Sequence, residues 1–511
     1  MKHMKKLVSV LLTLVMTLAL TIPAFAADDY SITIENSTSG YTYEAYQIFA
    51  GDLSDKTLSN IVWGADVTEA GKNALGNAAG KAASLKTVAD AEAFAKAVAP
   101  YLDSTPSGSA NTCTNGKYVI SGLAAGYYLV KDTTVPGDGA HTSYLLKVVA
   151  NTTAVPKSAV PTSEKKVKDT NDSVANSTTG WQDSADYDIG DSVPFLLKGT
   201  VANNYDNYTA YKFVFHDEES SGLDFDSSTV VVKVDDTLIE SGYTVVTENL
   251  SDDCTFEVRF EDLKNISAVK AGSVITVEYK SILTDGAAVG AAGNTNKMKL
   301  EYSNDPNWNG EGTEPTGNTP EDTVVVFTYK TIINKITKNP DYDPEVAGSK
   351  EYIPLTGAEF TLEKKILGDN PATNDVPETE YWKPIAVVKN DEGTTFTFSG
   401  LDDGDYRLTE TTTPAGYNTV APIEFTITAE HNIDSANPAI TSLAGTTTGG
   451  ALTFTPVISA GSLTADVVNN AGATLPETGG IGTTIFYVLG SILVLGAGIL
   501  LVTKKRMSSE K

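Results

Sequence analysis

The sequence predicts a mainly β protein of tandem domains, with some helix in the first domain and a transmembrane helix at the C-terminus. Thr, Val and Tyr recur in short alternating runs punctuated by Gly, Asn, Asp and Pro, the pattern of half-buried strands and their turns. The 511 residues, less a segment removed from each end, fit three domains of roughly 150 residues each. An apolar run from Ile481 to Val502 would be roughly 33 Å long as a helix, enough to span a bilayer core.

At the N-terminus, Lys2, Lys5 and Lys6 precede the apolar run Leu7 to Ile22, and Ala24-Phe25-Ala26 supplies small residues two apart. This is a secretory signal over residues 1–26, cleaved before Ala27. At the other end, Lys504, Lys505 and Arg506 follow the apolar run and stay cytoplasmic, so everything before Leu475 faces outward. Directly before the run lies Leu475-Pro476-Glu477-Thr478-Gly479. Pro476 disfavours helix there, and Gly479 leaves room for an enzyme to approach the backbone. Pentapeptide, span and basic tail together, residues 475–511, resemble the sorting signal of Gram-positive surface proteins. The resemblance implies a secreted protein whose chain a sortase cuts between Thr478 and Gly479 and anchors to peptidoglycan.

Composition narrows the function classes. The formal charge is −28, and removal of both basic ends leaves the mature chain more acidic still, which argues against a nucleic-acid partner. Cys113 and Cys254 fall in different predicted domains, so no disulfide framework is expected. His3, His141, His216 and His431 show no metal-ligand spacing, and no HExxH, CxxC or GxSxG pattern occurs. Hydrolase or metalloenzyme chemistry therefore has no motif to rest on, and neither cofactor nor metal is expected. The acidic stretch Asp341 to Asp343 lacks calcium-ligand spacing and reads as solvated charge.

Three domains are expected, over residues 27–157, 158–328 and 329–473. In the first, Val88, Ala91, Phe94, Ala95 and Val98 share one helical face, read as core packing. An internal repeat pairs GLAAGYYLVKD, Gly122 to Asp132, with GLDDGDYRLTE, Gly400 to Glu410; each reads as a turn and then a strand ending in an acid. The second copy continues into TTTPAGYN, Thr411 to Asn418. This resembles the acidic box of collagen-adhesin B-type domains, which implies immunoglobulin-like β-sandwiches.

Strand parity picks out candidate chemistry, because residues two apart share a face. With Tyr406 and Leu408 facing the core, Glu410 faces it too; Ile333 carries Lys335 inward, and Val467 carries Asn469. Unpaired buried charge is costly, so such a set must be paired or chemically used. Burial favours a neutral Lys335 amine, which can attack the Asn469 amide while Glu410 shuttles protons and ammonia leaves. The resemblance implies the same Lys-to-Asn isopeptide bond between first and last strands. In the second domain the same count brings Lys165, Asp217 and Asn296 inward, similar to the A-type version of these domains, with Lys166, Glu218 and Asn294 as the open alternatives. The string WQDSADYDIGDSVPFLLKGTV, Trp181 to Val201, also resembles isopeptide-forming fimbrial proteins. In the first domain Asp132 aligns with Glu410, but the opening strand Tyr30 to Asn36 has no lysine, so no internal bond is expected.

Between the first two domains, Val155-Pro156-Lys157-Ser158-Ala159-Val160-Pro161 should be extended and exposed. With the sorting signal, this linker lysine makes most of the chain similar to sortase-assembled pilus backbone subunits, although Val155 and Ser158 replace the Tyr and Asn of that family's motif. The resemblance implies that Thr478 of one subunit is joined to Lys157 of the next. It also implies the partners: a pilus-specific sortase, a housekeeping sortase with peptidoglycan, identical and accessory pilins, and a host surface or matrix ligand. The chain would then be a sortase substrate and no enzyme beyond its own bond formation. The competing reading is a monomeric wall-anchored adhesin that uses the same domains as a stalk.

Overall fold

The computed structural model describes residues 29–472 apart from 157, 251, 309, 311 and 369–379, together with 489–497 and 499. The signal segment, Lys157 and Leu475 to Gly479 lie outside the described residues. Of the apolar run expected to span a bilayer, 489–497 is helical, and the rest lies largely outside the description. Among the described residues no helix is long and apolar enough to cross a membrane.

Among the described residues there are six sheets. Residues 30–154 form a three-stranded sheet ordered Lys117–Leu123, Tyr30–Glu35, Thr152–Ala154, and a larger one ordered Thr57–Trp63, Thr42–Ser54, Gly126–Thr134, Ser143–Val148. The Thr42–Ser54 strand is buried on both faces: Tyr43 and Ala45 enter the core between the sheets, while Tyr46 and Ile48 pack under the helices. Val88–Val98 is the longest of those helices, opened by a capping box between Thr87 and Asp90. Its expected apolar stripe is buried at Phe94, Ala95 and Val98, with Phe94 stacked on Phe49, but Val88 in the first turn is exposed.

Residues 162–327 build a sandwich of a five-stranded and a seven-stranded sheet around an aromatic-rich core. Thr162–Val167 is an edge strand of the first sheet, while Phe213–Glu219 and Asn294–Ser303 are antiparallel neighbours in the second. Residues 329–469 form another sandwich, in which the opening strand Tyr329–Lys338 lies parallel to the closing strand Ser462–Asn469.

The repeat is visible in three dimensions. Gly122 and Gly400 hold nearly the same positive φ, 80° and 78°, which glycine adopts at least cost. Six residues on, Tyr128 donates to the Ala124 carbonyl at 2.9 Å and Tyr406 to the Asp402 carbonyl at 3.0 Å.

The Trp181 to Val201 string joins the second sandwich to the third. Its strand Ser184–Asp186 pairs with Asp322–Phe327, and the chain then runs against the third sandwich, where Ile189 N–H donates to the Gly400 carbonyl at 3.0 Å. Asp188 accepts from the Asp402 N–H at 3.0 Å and pairs with the Lys364 ammonium at 2.9 Å.

Candidate functional site

In the third sandwich, alternation along Tyr329–Lys338 buries Ile333 and Lys335 completely, and Asn469 is equally buried on the neighbouring strand. Lys335 Nζ contacts Asn469 Oδ1 directly. One oxygen of Glu410 serves both partners: Oε1 lies 3.1 Å from Lys335 Nζ and accepts from Asn469 Nδ2 at 2.8 Å. The other, Oε2, accepts from the Val420 N–H at 2.8 Å, which fixes the carboxylate plane. Burial lowers the Lys335 pKa against the pull of Glu410, moving the amine toward its nucleophilic neutral form. Amine, amide and a bridging acid thus meet in a dry core beside the Phe360 ring.

The second sandwich brings together Lys165, Asp217 and Asn296, all fully buried. Lys165 Nζ contacts Asp217 Oδ2 directly and donates to Tyr279 OH at 2.9 Å. Asn296 Nδ2 donates to the same Tyr279 oxygen at 2.9 Å and to Glu219 Oε1 at 3.2 Å. Tyr279 in turn donates to Asp217 at 3.0 Å, and its ring packs against Phe195, Phe225 and Phe256. In that aromatic box burial pushes Lys165 down and Asp217 up, both toward their neutral forms. Glu219 is pushed up to about 8 by burial and by the charge of Asp217. Asp217 Oδ1, Glu219 Oε2 and Asn296 Oδ1 have no hydrogen-bond partner among the described residues.

The alternatives that spacing left open sit elsewhere. Lys166 is half-buried and pairs with Asp183 and Glu164; Glu218 faces Lys297 at 3.4 Å on the outer side. Asn294 spends its amide on the backbone of Ala288 and Val326. Two members of this site, Glu219 and Tyr279, were missed by sequence reasoning. The signal existed: Glu219 lies two residues beyond Asp217 on one strand, and Tyr279 continues the inward set Ile275 and Val277.

In the first sandwich Asp132 holds the place of Glu410 and likewise accepts a backbone N–H from ten residues on, Thr142 at 2.8 Å. Its other oxygen meets His141 Nδ1 at 2.7 Å, and the opening strand presents Ile32 and Ile34 inward where a lysine would be needed.

A third fully buried lysine behaves differently. Lys364 pairs with Asp188 and Asp402 across the junction of the second and third sandwiches. Burial pushes its pKa down, but Asp402 and Asp188 outweigh it and hold the ammonium above the usual lysine range. It is a structural cation, whereas Lys165 and Lys335 are biased toward free amines.

Residues 347–438 match the SpaA prealbumin-like fold domain, and residues 467–509 match the LPXTG cell wall anchor motif. The trypsin-resistant surface T6 protein of Streptococcus pyogenes serotype M6 is 25% identical over 418 residues, 69% of this chain and 70% of that one. This chain carries a cell wall anchor motif and is similar to a streptococcal surface protein. The T6 backbone pilin of serotype M6 S. pyogenes, described as a modular three-domain structure, superposes with a TM-score of 0.53. That match has 16% identity and covers 88% of this chain and all, 100%, of the solved chain. At that identity it supports the fold alone.

Proposed function

We propose that this chain is the repeating backbone subunit of a covalent surface pilus, stiffened by two self-formed Lys-to-Asn bonds. The observation that carries the reading is the Glu410 oxygen that touches both the Lys335 amine and the Asn469 amide. Lys335 Nζ attacks Asn469 Cγ; Glu410 takes the amine proton and returns it to the departing nitrogen, so the Cγ–Nδ2 bond breaks and ammonia leaves. Pre-orientation in the folded core replaces an activation step. Lys165, Asp217 and Asn296 perform the same reaction in the second sandwich, with Tyr279 as the hydroxyl that aligns amine, acid and amide. Apart from these single-turnover steps the chain is a substrate, not an enzyme.

Polymerisation uses the linker between the first two domains and the C-terminal sorting signal. A pilus sortase cuts after Thr478 and passes the acyl group to Lys157 of the next subunit; a housekeeping sortase attaches the finished fibre to peptidoglycan. Wild-type cell-wall extracts should show a ladder of covalent multimers on denaturing gels. Lys157→Arg should collapse the ladder to wall-anchored monomer, while Thr478→Ala should abolish both. A ladder that survives Lys157→Arg would overturn the assignment of that lysine.

A further inference from the structure

The outer face of the seven-stranded sheet carries a second polar cluster, unrelated to the buried lysines. His216 points outward because its neighbours Phe215 and Asp217 point in, and it lies opposite Glu257 on the adjacent strand. The loop before that strand folds over the pair and delivers Asp252 and Cys254. Around His216 Nδ1 stand Asp252 Oδ2 at 3.1 Å, Glu257 Oε1 at 3.4 Å and Cys254 Sγ at 3.9 Å. Cys254 Sγ is 3.8 Å from Glu257 Oε1, and one ligand atom from each of the four residues lies within 4.8 Å of all the others.

The four separations of 3.1 to 3.9 Å are close to those of a coordination shell. Zinc bonds of about 2.0 to 2.3 Å in tetrahedral geometry set neighbouring ligand atoms roughly 3.2 to 3.9 Å apart. The outer partners fit as well. His216 Nε2 faces Glu301 Oε2 at 3.4 Å, the carboxylate-imidazole arrangement that fixes a ligating ring, and Lys212 holds Glu301 at 3.0 Å. Arg259 anchors the free oxygen of Glu257. Lys299 sits 2.8 Å from Asp252, but its partly exposed side chain can swing away. An open cleft of about 190 Å³, lined by His216, Asp252 and Cys254 among others, gives an ion access from solvent.

We propose that His216, Asp252, Cys254 and Glu257 form a binding site for a divalent transition-metal ion of the zinc type. Thiolate and imidazole ligands select against calcium and magnesium. Binding exchanges the Cys254 proton for the metal bond, so uptake releases one proton to solvent. The spacing of histidines along the chain could not show this, since one histidine meets three ligands from a loop and strand some forty residues on.

Titration of the purified full chain with Co²⁺ tests the site. The expected result is one equivalent bound with a thiolate-to-cobalt charge-transfer band and tetrahedral d–d absorption, both displaced by Zn²⁺. Cys254→Ser, close in size to the native thiol, should lose the charge-transfer band. Glu301→Gln should keep the band but weaken Zn²⁺ binding roughly 10- to 100-fold. No binding, binding without the band, or a band unchanged in Cys254→Ser would overturn the proposal.

Discussion

Glu410 and Asp132 occupy one position of a repeated strand and take the same backbone hydrogen bond, yet only Glu410 faces a lysine and an asparagine. The acid becomes chemically useful only when the opening strand supplies an amine. Glu410→Gln keeps the size but turns one accepting oxygen into an amide donor, and it cannot accept the Lys335 proton. Corrected for the substitution, its mass should exceed that of the wild type by about 17 Da, the ammonia that stays on Asn469. Loss of the crosslink should cost about 2 to 5 kcal/mol in stability, by analogy with a disulfide closing a long loop; denaturant unfolding would show it. Glu219 gives a pH signature. Its pKa is 4.5 ordinarily and about 8 in the fold, so its contribution is complete below pH 4.5 and lost as pH rises through about 8. Glu219→Gln should remove that loss: its melting temperature should exceed the wild type's at about pH 9 and match it at about pH 4. Equal offsets at both pH values would exclude the linkage.

At the level of strands, alternation made much of the site legible. Tyr329–Lys338, Gly404–Thr412 and Ser462–Asn469 alternate cleanly, so Lys335, Glu410 and Asn469 could be placed on one face from sequence alone. Thr162–Val167 carries Lys165 and Lys166 side by side, and parity cannot say which face is the core until the partner strand is known. Parity also puts Tyr279 inward with Ile275 and Val277, but no motif pairs it with Lys165, 114 positions away. The turns that open the repeated strands offer a comparison. A Cβ on Gly400 would come within 2.5 Å of Ile189, while one on Gly122 would come no nearer than 3.7 Å to Asp29. Both substitutions to alanine cost the positive φ, about 1 kcal/mol. Gly400→Ala should cost about 1 to 3 kcal/mol more through overpacking at the junction. Thermal unfolding of the two variants separates these terms.

Across the whole molecule, the second and third sandwiches are joined by buried charge rather than by a free linker. Asp188 and Lys364 are 176 positions apart, and beside them His431 bonds Ser184 at 2.7 Å and lies 3.5 Å from Asp169. No local pattern could announce these partners, although Phe360 and Leu362 already signal that Lys364 turns inward. Lys364→Met should leave Asp188 and Asp402 buried without their cation, a loss of about 3 to 5 kcal/mol. Proteolysis at the junction should be faster in this variant than in the wild type. In the proposed fibre, force would pass between the second and third sandwiches through this packed junction, and through those two sandwiches along the strands that the proposed bonds join. The intact mass of the mature protein tests that picture most directly, with Lys165→Ala and Lys335→Ala as single controls. Two bonds predict a mass about 34 Da below that calculated from sequence, with each control recovering about 17 Da. The full calculated mass would show that the buried lysines are only paired, and would contradict the self-crosslinked fibre.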